Sequence, residues 1–74
     1  MKLTVKLFAT FREGREKIQI LEVPDGSKIE DVLDILGIKV EEVAILLING
    51  RDGEFYGKLS DNDLLAIFPP VGGG

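Results

Sequence analysis

Very few side chains in this sequence are suited to covalent chemistry. There is no cysteine and no histidine. That excludes thiolate nucleophiles, sulfur ligands, disulfides, and the commonest general base and metal ligand. Asp61 with Asp63, and Glu41 with Glu42, are the closest approach to a catalytic arrangement. Paired acids can exchange protons or hold a hard cation. But Asp61-Asn62-Asp63 reads as a turn ahead of a strand, and the glycine and glutamate spacing of a calcium loop is missing. Gly50 and Gly53 are not followed by the Lys-Ser/Thr of a phosphate loop. Arg12, Arg15 and Lys17 form a small basic cluster that reads as a solvated loop rather than an anion site. Nothing resembles a triad, so the chain alone offers no constellation for catalysis.

The remaining reactive group is the α-carboxylate of Gly74. It follows Pro69-Pro70-Val71-Gly72-Gly73, a stretch with no polar side chain. A bland reading is a frayed terminus, because glycine loses the most backbone entropy on ordering. The prolines argue otherwise, since they stiffen the base of the tail and project it from the body. Residues 69–74 reach on the order of 20 Å when extended. That is enough to thread a narrow channel and deliver a carboxylate into another protein's active site. Glycines without Cβ atoms let the enclosing backbone approach closely.

The 74 residues allow one small core, and 45% hydrophobic content makes it feasible without a disulfide or metal staple. Net charge is −4, which disfavours nucleic-acid binding, an interaction dominated by Lys and Arg on phosphates. An acidic surface suits a basic protein partner or simple solubility. The N-terminus alternates in polarity instead of running apolar as a signal peptide does, and no stretch approaches the ~20 apolar residues of a membrane span. A cytoplasmic protein is expected.

The elements that must position the tail follow from periodicity. Leu3, Val5 and Leu7 alternate with Lys2, Thr4 and Lys6, predicting a half-buried strand over residues 2–8. A loop over 11–16 and a second strand over 17–23 complete a hairpin. Either Leu21 and Val23 or Ile18 and Ile20 face inward. Pro24-Asp25-Gly26 is a turn. Ser27 with Glu30 gives a capping-box signature for a helix over 28–36, whose stripe is Ile29, Val32, Leu33 and Leu36. Gly37 is placed as a left-handed cap, with Ile38 as its hydrophobic contact. The apolar run 43–48, bounded by Asn49-Gly50, predicts a buried central strand, and residues 54–56 a short edge strand. Residues 64–68 form the last strand, ended by Pro69-Pro70. The sum is an α+β layer pair, one mixed sheet of four to five strands curled over one main helix. The domain covers 1–68 and the flexible tail 69–74.

The segment 63–74, through Ile67-Phe68-Pro69-Pro70-Val71-Gly72-Gly73-Gly74, resembles the C-terminus of the small subunit of molybdopterin synthase, the MoaD-type sulfur carriers of the MoaD/ThiS family. Val5-Lys6-Leu7-Phe8-Ala9-Thr10-Phe11-Arg12-Glu13, Leu21-Glu22-Val23-Pro24-Asp25-Gly26 and Ile48-Asn49-Gly50 are similar to other parts of that family, so the resemblance spans nearly the whole chain. It implies a ubiquitin-like β-grasp fold. It further implies that Gly74, with Gly73 behind it, is the reacting site. An E1-like adenylating enzyme would use ATP and magnesium to form an acyl-adenylate, with no cofactor bound by this chain. A sulfur donor protein would convert this to a thiocarboxylate, and the tail would enter the large molybdopterin synthase subunit to deliver sulfur to a pterin precursor. Thiamine-pathway sulfur carriers share the fold and Gly-Gly ending but typically lack the Phe-Pro-Pro base. Archaeal ubiquitin-like modifiers share both, and in them Gly74 would form an isopeptide bond with a lysine.

A partner needs an apolar anchor. Phe68 with Pro69, Pro70, Val71 and Gly72 forms one candidate surface, unless Phe68 belongs to the core. Phe8, out of phase with Leu7, is expected on the open face of the sheet. Ile18 and Ile20 would extend the patch if Leu21 and Val23 face inward. Glu54, Asp61 and Asp63 would either steer a basic partner or form a solvated rim.

Overall fold

A computed structural model describes residues 1–70 apart from Tyr56. Strand β1 (Lys2–Leu7) runs into a 3-10 turn (Ala9–Arg12) and pairs antiparallel with β2 (Ile18–Glu22). Helix α1 (Ile29–Leu36) crosses to a second 3-10 turn (Val40–Glu42). Then come β3 (Ile45–Ile48), β4 (Arg51–Asp52) and β5 (Leu64–Phe68). The order β2-β1-β5-β3-β4 makes one mixed five-stranded sheet, with β1 and β5 parallel and every other pairing antiparallel. This is the expected α+β, ubiquitin-like β-grasp arrangement.

The core forms between one sheet face and α1. Leu3, Val5, Leu7, Leu65 and Ile67 are fully buried against Ile29, Val32 and Leu33. Each such side chain contributes roughly 1.5–3 kcal/mol of burial. Helix α1 ends as expected. Gly37 has φ 73°, its N–H bonds the Asp34 carbonyl, and the Ile38 N–H bonds Leu33 O at 2.9 Å, with Ile38 buried. This is a Schellman closure.

Several expectations change in detail. The helix N-cap is Lys28, not Ser27, and the acid that closes it is Asp31, whose Oδ2 accepts the Lys28 N–H at 2.9 Å. Ser27 instead donates its hydroxyl to Pro24 O at 2.7 Å, inside the preceding turn. The run 43–48 is not the centre of the sheet. β5 is, and β3 lies between it and β4 with Ile45 47% exposed. The edge strand is Arg51–Asp52, because Asn49 (φ 53°) and Gly50 (φ 80°) form a tight two-residue turn that brings the chain straight back. Of the strand expected over 54–56, Glu54 and Phe55 lie in no strand and Tyr56 is outside the described residues. Phe11, placed in a loop by its polar neighbours, is buried at 5% exposure.

Arg15 is also not a solvated loop cation. Its Nε donates to Leu36 O at 2.9 Å and its Nη2 to Gly37 O at 3.3 Å, capping the open carbonyl end of α1 from the first hairpin. A cation there also complements the helix dipole. Arg15→Ala is therefore expected to cost about 1–2 kcal/mol. Urea unfolding followed by circular dichroism checks this, and a surface-neutral change would contradict the capping role.

Candidate functional site

The tail leaves the body from β5. In the central parallel ladder Leu7 lies beside Ile67, and on the other side Ile45 lies opposite Phe68. The Phe68 carbonyl accepts the Ala44 N–H at 2.9 Å, so the backbone is held up to the last strand residue. One step beyond the Leu7–Ile67 pair, Phe8 and Phe68 stack with ring centroids 4.1 Å apart and planes 12° from parallel. The Arg12 guanidinium lies 5.2 Å from the centre of the Phe8 ring, while its Nε donates to Leu7 O at 2.8 Å. Cation, ring and ring thus converge at the root of the tail. Phe8 and Phe68 are both half-buried, Pro69 is buried and Pro70 exposed. Val71, Gly72, Gly73 and Gly74, on which the tail reading rests, lie outside the described residues.

The sheet face opposite α1 carries the side chains left over by strand alternation. Val23 is buried and Leu21 packs on the core, which sends Ile18 and Ile20 outward at 51% and 68% exposure. Across the ladders Ile20 lies opposite Thr4, Lys6 sits between Ile18 and Ala66, and Ala66 lies opposite Leu47. The result is an apolar face from Ile20 at one edge through Phe8 and Phe68 to Ile45. Singly exposed apolar residues are ordinary, but here they are gathered on one open sheet face, broken by Lys6, beside the first residues of the tail.

The paired carboxylates do structural work. Asp61 Oδ1 accepts the Lys2 N–H at 2.7 Å. Asp63 accepts Asn49 Nδ2 at 2.8 Å and the Ser60 N–H at 2.7 Å. Asn49 Oδ1 in turn accepts the Leu64 N–H at 2.9 Å, fixing the start of β5. Glu42 Oε1 accepts the Lys39 N–H at 3.0 Å at the second 3-10 turn. Among the described residues no cluster of carboxylates is placed to hold a metal ion. A surface depression of about 750 Å³ is lined by residues such as Met1, Pro24 and Asn62, at the opposite end of β1 from Phe8. No helix among the described residues is long and apolar enough to cross a membrane.

The sequence put Phe68 at the base of the tail and Phe8 on the open face of the sheet, but gave no sign that the two rings stack. Arg12 was not singled out beyond its loop cluster. Its signal was the spacing from Phe8, one turn on in a tight helical segment. The stack makes a measurable claim. Phe8→Ala and Phe68→Ala should each leave the chain folded, and a double-mutant cycle on urea-unfolding free energies should return a coupling of about 0.5–1.5 kcal/mol. Additive losses would show that the rings do not interact.

Comparison with known proteins gives the setting of this site. A Pyrococcus furiosus protein described as molybdopterin converting factor, subunit 1, superposes with a TM-score of 0.76 at 28% identity, over 96% of this chain and 99% of that one. The small archaeal modifier protein SAMP1 of Haloferax volcanii superposes at 0.79 and 26% identity, over 100% of both chains. In a Helicobacter pylori complex of subunits 1 and 2 of molybdopterin-converting factor, the matching chain shares the fold at 0.67 and 22% identity, over 100% of both. No curated protein sequence gives a significant match. The model of the ThiS family matches residues 5–74. A five-stranded β-grasp sheet with a bare apolar face at the root of a Gly-Gly tail agrees with that match, and the chain belongs to the ThiS family, sharing its fold with MoaD-type subunits and small archaeal modifiers.

Proposed function

We propose that this protein is a sulfur carrier acting in the cytoplasm in the synthesis of molybdopterin, with Gly74 as its working residue. The observation that carries the reading is continuity. The uncovered apolar face runs through the Phe8–Phe68 stack into the strand that precedes the Gly-Gly ending of the sequence. A docking surface and a reactive terminus are thus parts of one feature. An E1-like adenylating enzyme would grip the face and take up the tail. A Gly74 carboxylate oxygen attacks the α-phosphorus of magnesium-bound ATP, pyrophosphate leaves, and an acyl-adenylate forms. The terminal sulfur of a persulfide on a donor protein then attacks the acyl carbon and AMP leaves, giving an acyl disulfide. A second thiol attacks the donor-side sulfur, the S–S bond breaks, and the thiocarboxylate departs as donor and thiol are left joined in a disulfide. A free carboxylate is a poor electrophile, and adenylation supplies its leaving group. The chain's part is delivery, which needs neither cysteine nor histidine.

The molybdopterin assignment is supported by the likeness to the Pyrococcus furiosus protein described as subunit 1 of that converting factor. A large synthase subunit as second partner draws support from the subunit pairing in the Helicobacter pylori complex. The second reading, conjugation of Gly74 to a target lysine, is favoured by the full-length likeness to SAMP1. Both readings share the adenylation step and part after it.

Incubation with the adenylating enzyme of the same organism, ATP, magnesium and a sulfur source should raise the intact mass by the difference between a sulfur and an oxygen atom. No gain with that enzyme would refute the carrier reading. Lysines bearing Gly-Gly remnants on other proteins, dependent on Gly74, would favour conjugation instead. Removal of Gly74 should abolish loading and leave the urea-unfolding curve unchanged, because the described core ends before it.

A further inference from the structure

The chain is acidic, yet its charge is divided unevenly between the two faces of the sheet. Helix α1 and its flanks carry Glu30, Asp31, Asp34, Glu41 and Glu42 against Lys28 and Lys39, with Arg15 docked on the helix end from the first hairpin. The open face lacks that excess of acid. Lys2 and Lys6 stand on it in β1, and Arg12 lies over the Phe8 ring that joins it to the tail. Its carboxylates are Glu22, beside Lys2 at 3.9 Å, and Asp52, opposite Leu47 at the β4 edge. On the strands of this face two cations stand against two carboxylates, and Arg12, from the 3-10 turn after β1, adds a third cation beside the tail root. Among the described residues the ion pairs are Met1 amino–Asp25 and Lys2–Glu22. Lys6 and Arg12 take part in neither. Lys6 is set between Ile18 and Ala66, and Arg12 spends its Nε on Leu7 O, which leaves the outer guanidinium nitrogens for a partner.

We infer that the open sheet face docks a protein surface whose apolar depression is rimmed by carboxylates, with Lys6 and Arg12 as the pairing cations. Charge complementarity carries this assignment. A phosphate polymer or an anionic membrane would call for many cations and would be repelled by a chain of net charge −4. Two cations set within an apolar face instead fit a protein patch of matching mixed character. Arg12 has the stronger role. Its stem and plane are already fixed by the Leu7 carbonyl and the Phe8 ring, so little side-chain entropy is left to lose on pairing. The net charge alone points to a basic partner, and the face points the other way. The inference rests on the carrier or modifier reading only for which partner sits there.

Two synthetic amphipathic helical peptides, each with a leucine stripe and either glutamate or lysine on its polar side, separate the possibilities by amide NMR shift mapping. The glutamate peptide should perturb Lys6, Phe8, Arg12, Ile18 and Phe68, and the lysine peptide should not. Equal perturbation by both, or shifts centred on α1, would overturn the inference. So would salt-resistant binding to phosphatidylserine vesicles through Lys6 and Arg12, which would reassign the face to a membrane. With the adenylating enzyme, Arg12→Gln and Lys6→Gln should each raise the KM for this chain roughly tenfold at unchanged kcat and flatten its salt dependence. Arg12→Lys should recover part of the loss, and Glu30→Gln or Asp34→Asn should change nothing. If the enzyme does not load the chain at all, the carrier reading falls while the peptide maps still decide the sign of the face.

Discussion

The parallel pairing of β1 with β5 is the constraint on which the rest depends. These strands come from opposite ends of the described chain, and the register Val5↔Leu65 and Leu7↔Ile67 decides the fate of every side chain on both. One set, from Leu3 to Ile67, is fully buried under α1. The other set is turned away from the helix. A slip of one residue would exchange the two sets, placing Lys6 in the core. Parallel pairs need a long crossover, and here the hairpin, helix, β3 and β4 all serve as that crossover. The core therefore forms only when the last strand arrives.

The same register places Phe8 beside Phe68. The Leu7–Ile67 pair is the last buried rung, and the next residues on both strands fall on the open side. A single helix covers a single face, so the open side has no internal partner. Exposing Ile18, Ile20 and Ile45 forgoes burial worth a few kcal/mol each at most. The stack and the Arg12 guanidinium cover only the corner where the tail begins. The open apolar face and the tail root are thus both set by the alternation that builds the core.

Much of this was legible in the sequence where one local rule governs one element. The β1 alternation, the helical stripe with its Gly37 cap, and the proline stop after Phe68 are of that kind. The misreadings occur where two rules compete. The run 43–48 is apolar throughout, which reads as a strand covered on both faces. In fact Leu46 is buried and Ile45 is not, because the single helix covers one face of the sheet and no second layer covers the other. Ser27 and Lys28 both precede the helix, and the turn at Pro24 claimed the serine hydroxyl first. The direction of β2 stayed open because leucine, valine and isoleucine are equally apolar, and only the pairing Leu3↔Leu21 settles it. Arg15 reached the end of α1 across a gap in sequence that periodicity cannot see. The stacking at the tail root was hidden for the same reason, since Phe8 and Phe68 meet only in the folded chain.

Net charge misleads here for a reason that is itself structural. Many of the carboxylates answer unpaired backbone donors. Asp31 and Glu42 close the first turns of their helical segments, Asp61 takes the Lys2 N–H, Asp63 takes the Ser60 N–H, and Asp25 takes the terminal ammonium of Met1. Short acidic side chains are favoured at such places because they satisfy N–H groups that neither helix nor ladder can reach. A small domain with many turns therefore accumulates acid at its ends and loops, whatever its partner. The strand N–H groups are already paired and need no such acid, and the solvent side of β1 is left to Lys2, Thr4 and Lys6, with Glu22 and Asp52 on the neighbouring strands. The excess of carboxylates reports how the chain is folded. The sign of the surface that meets a partner has to be read from the strand residues that folding turns outward.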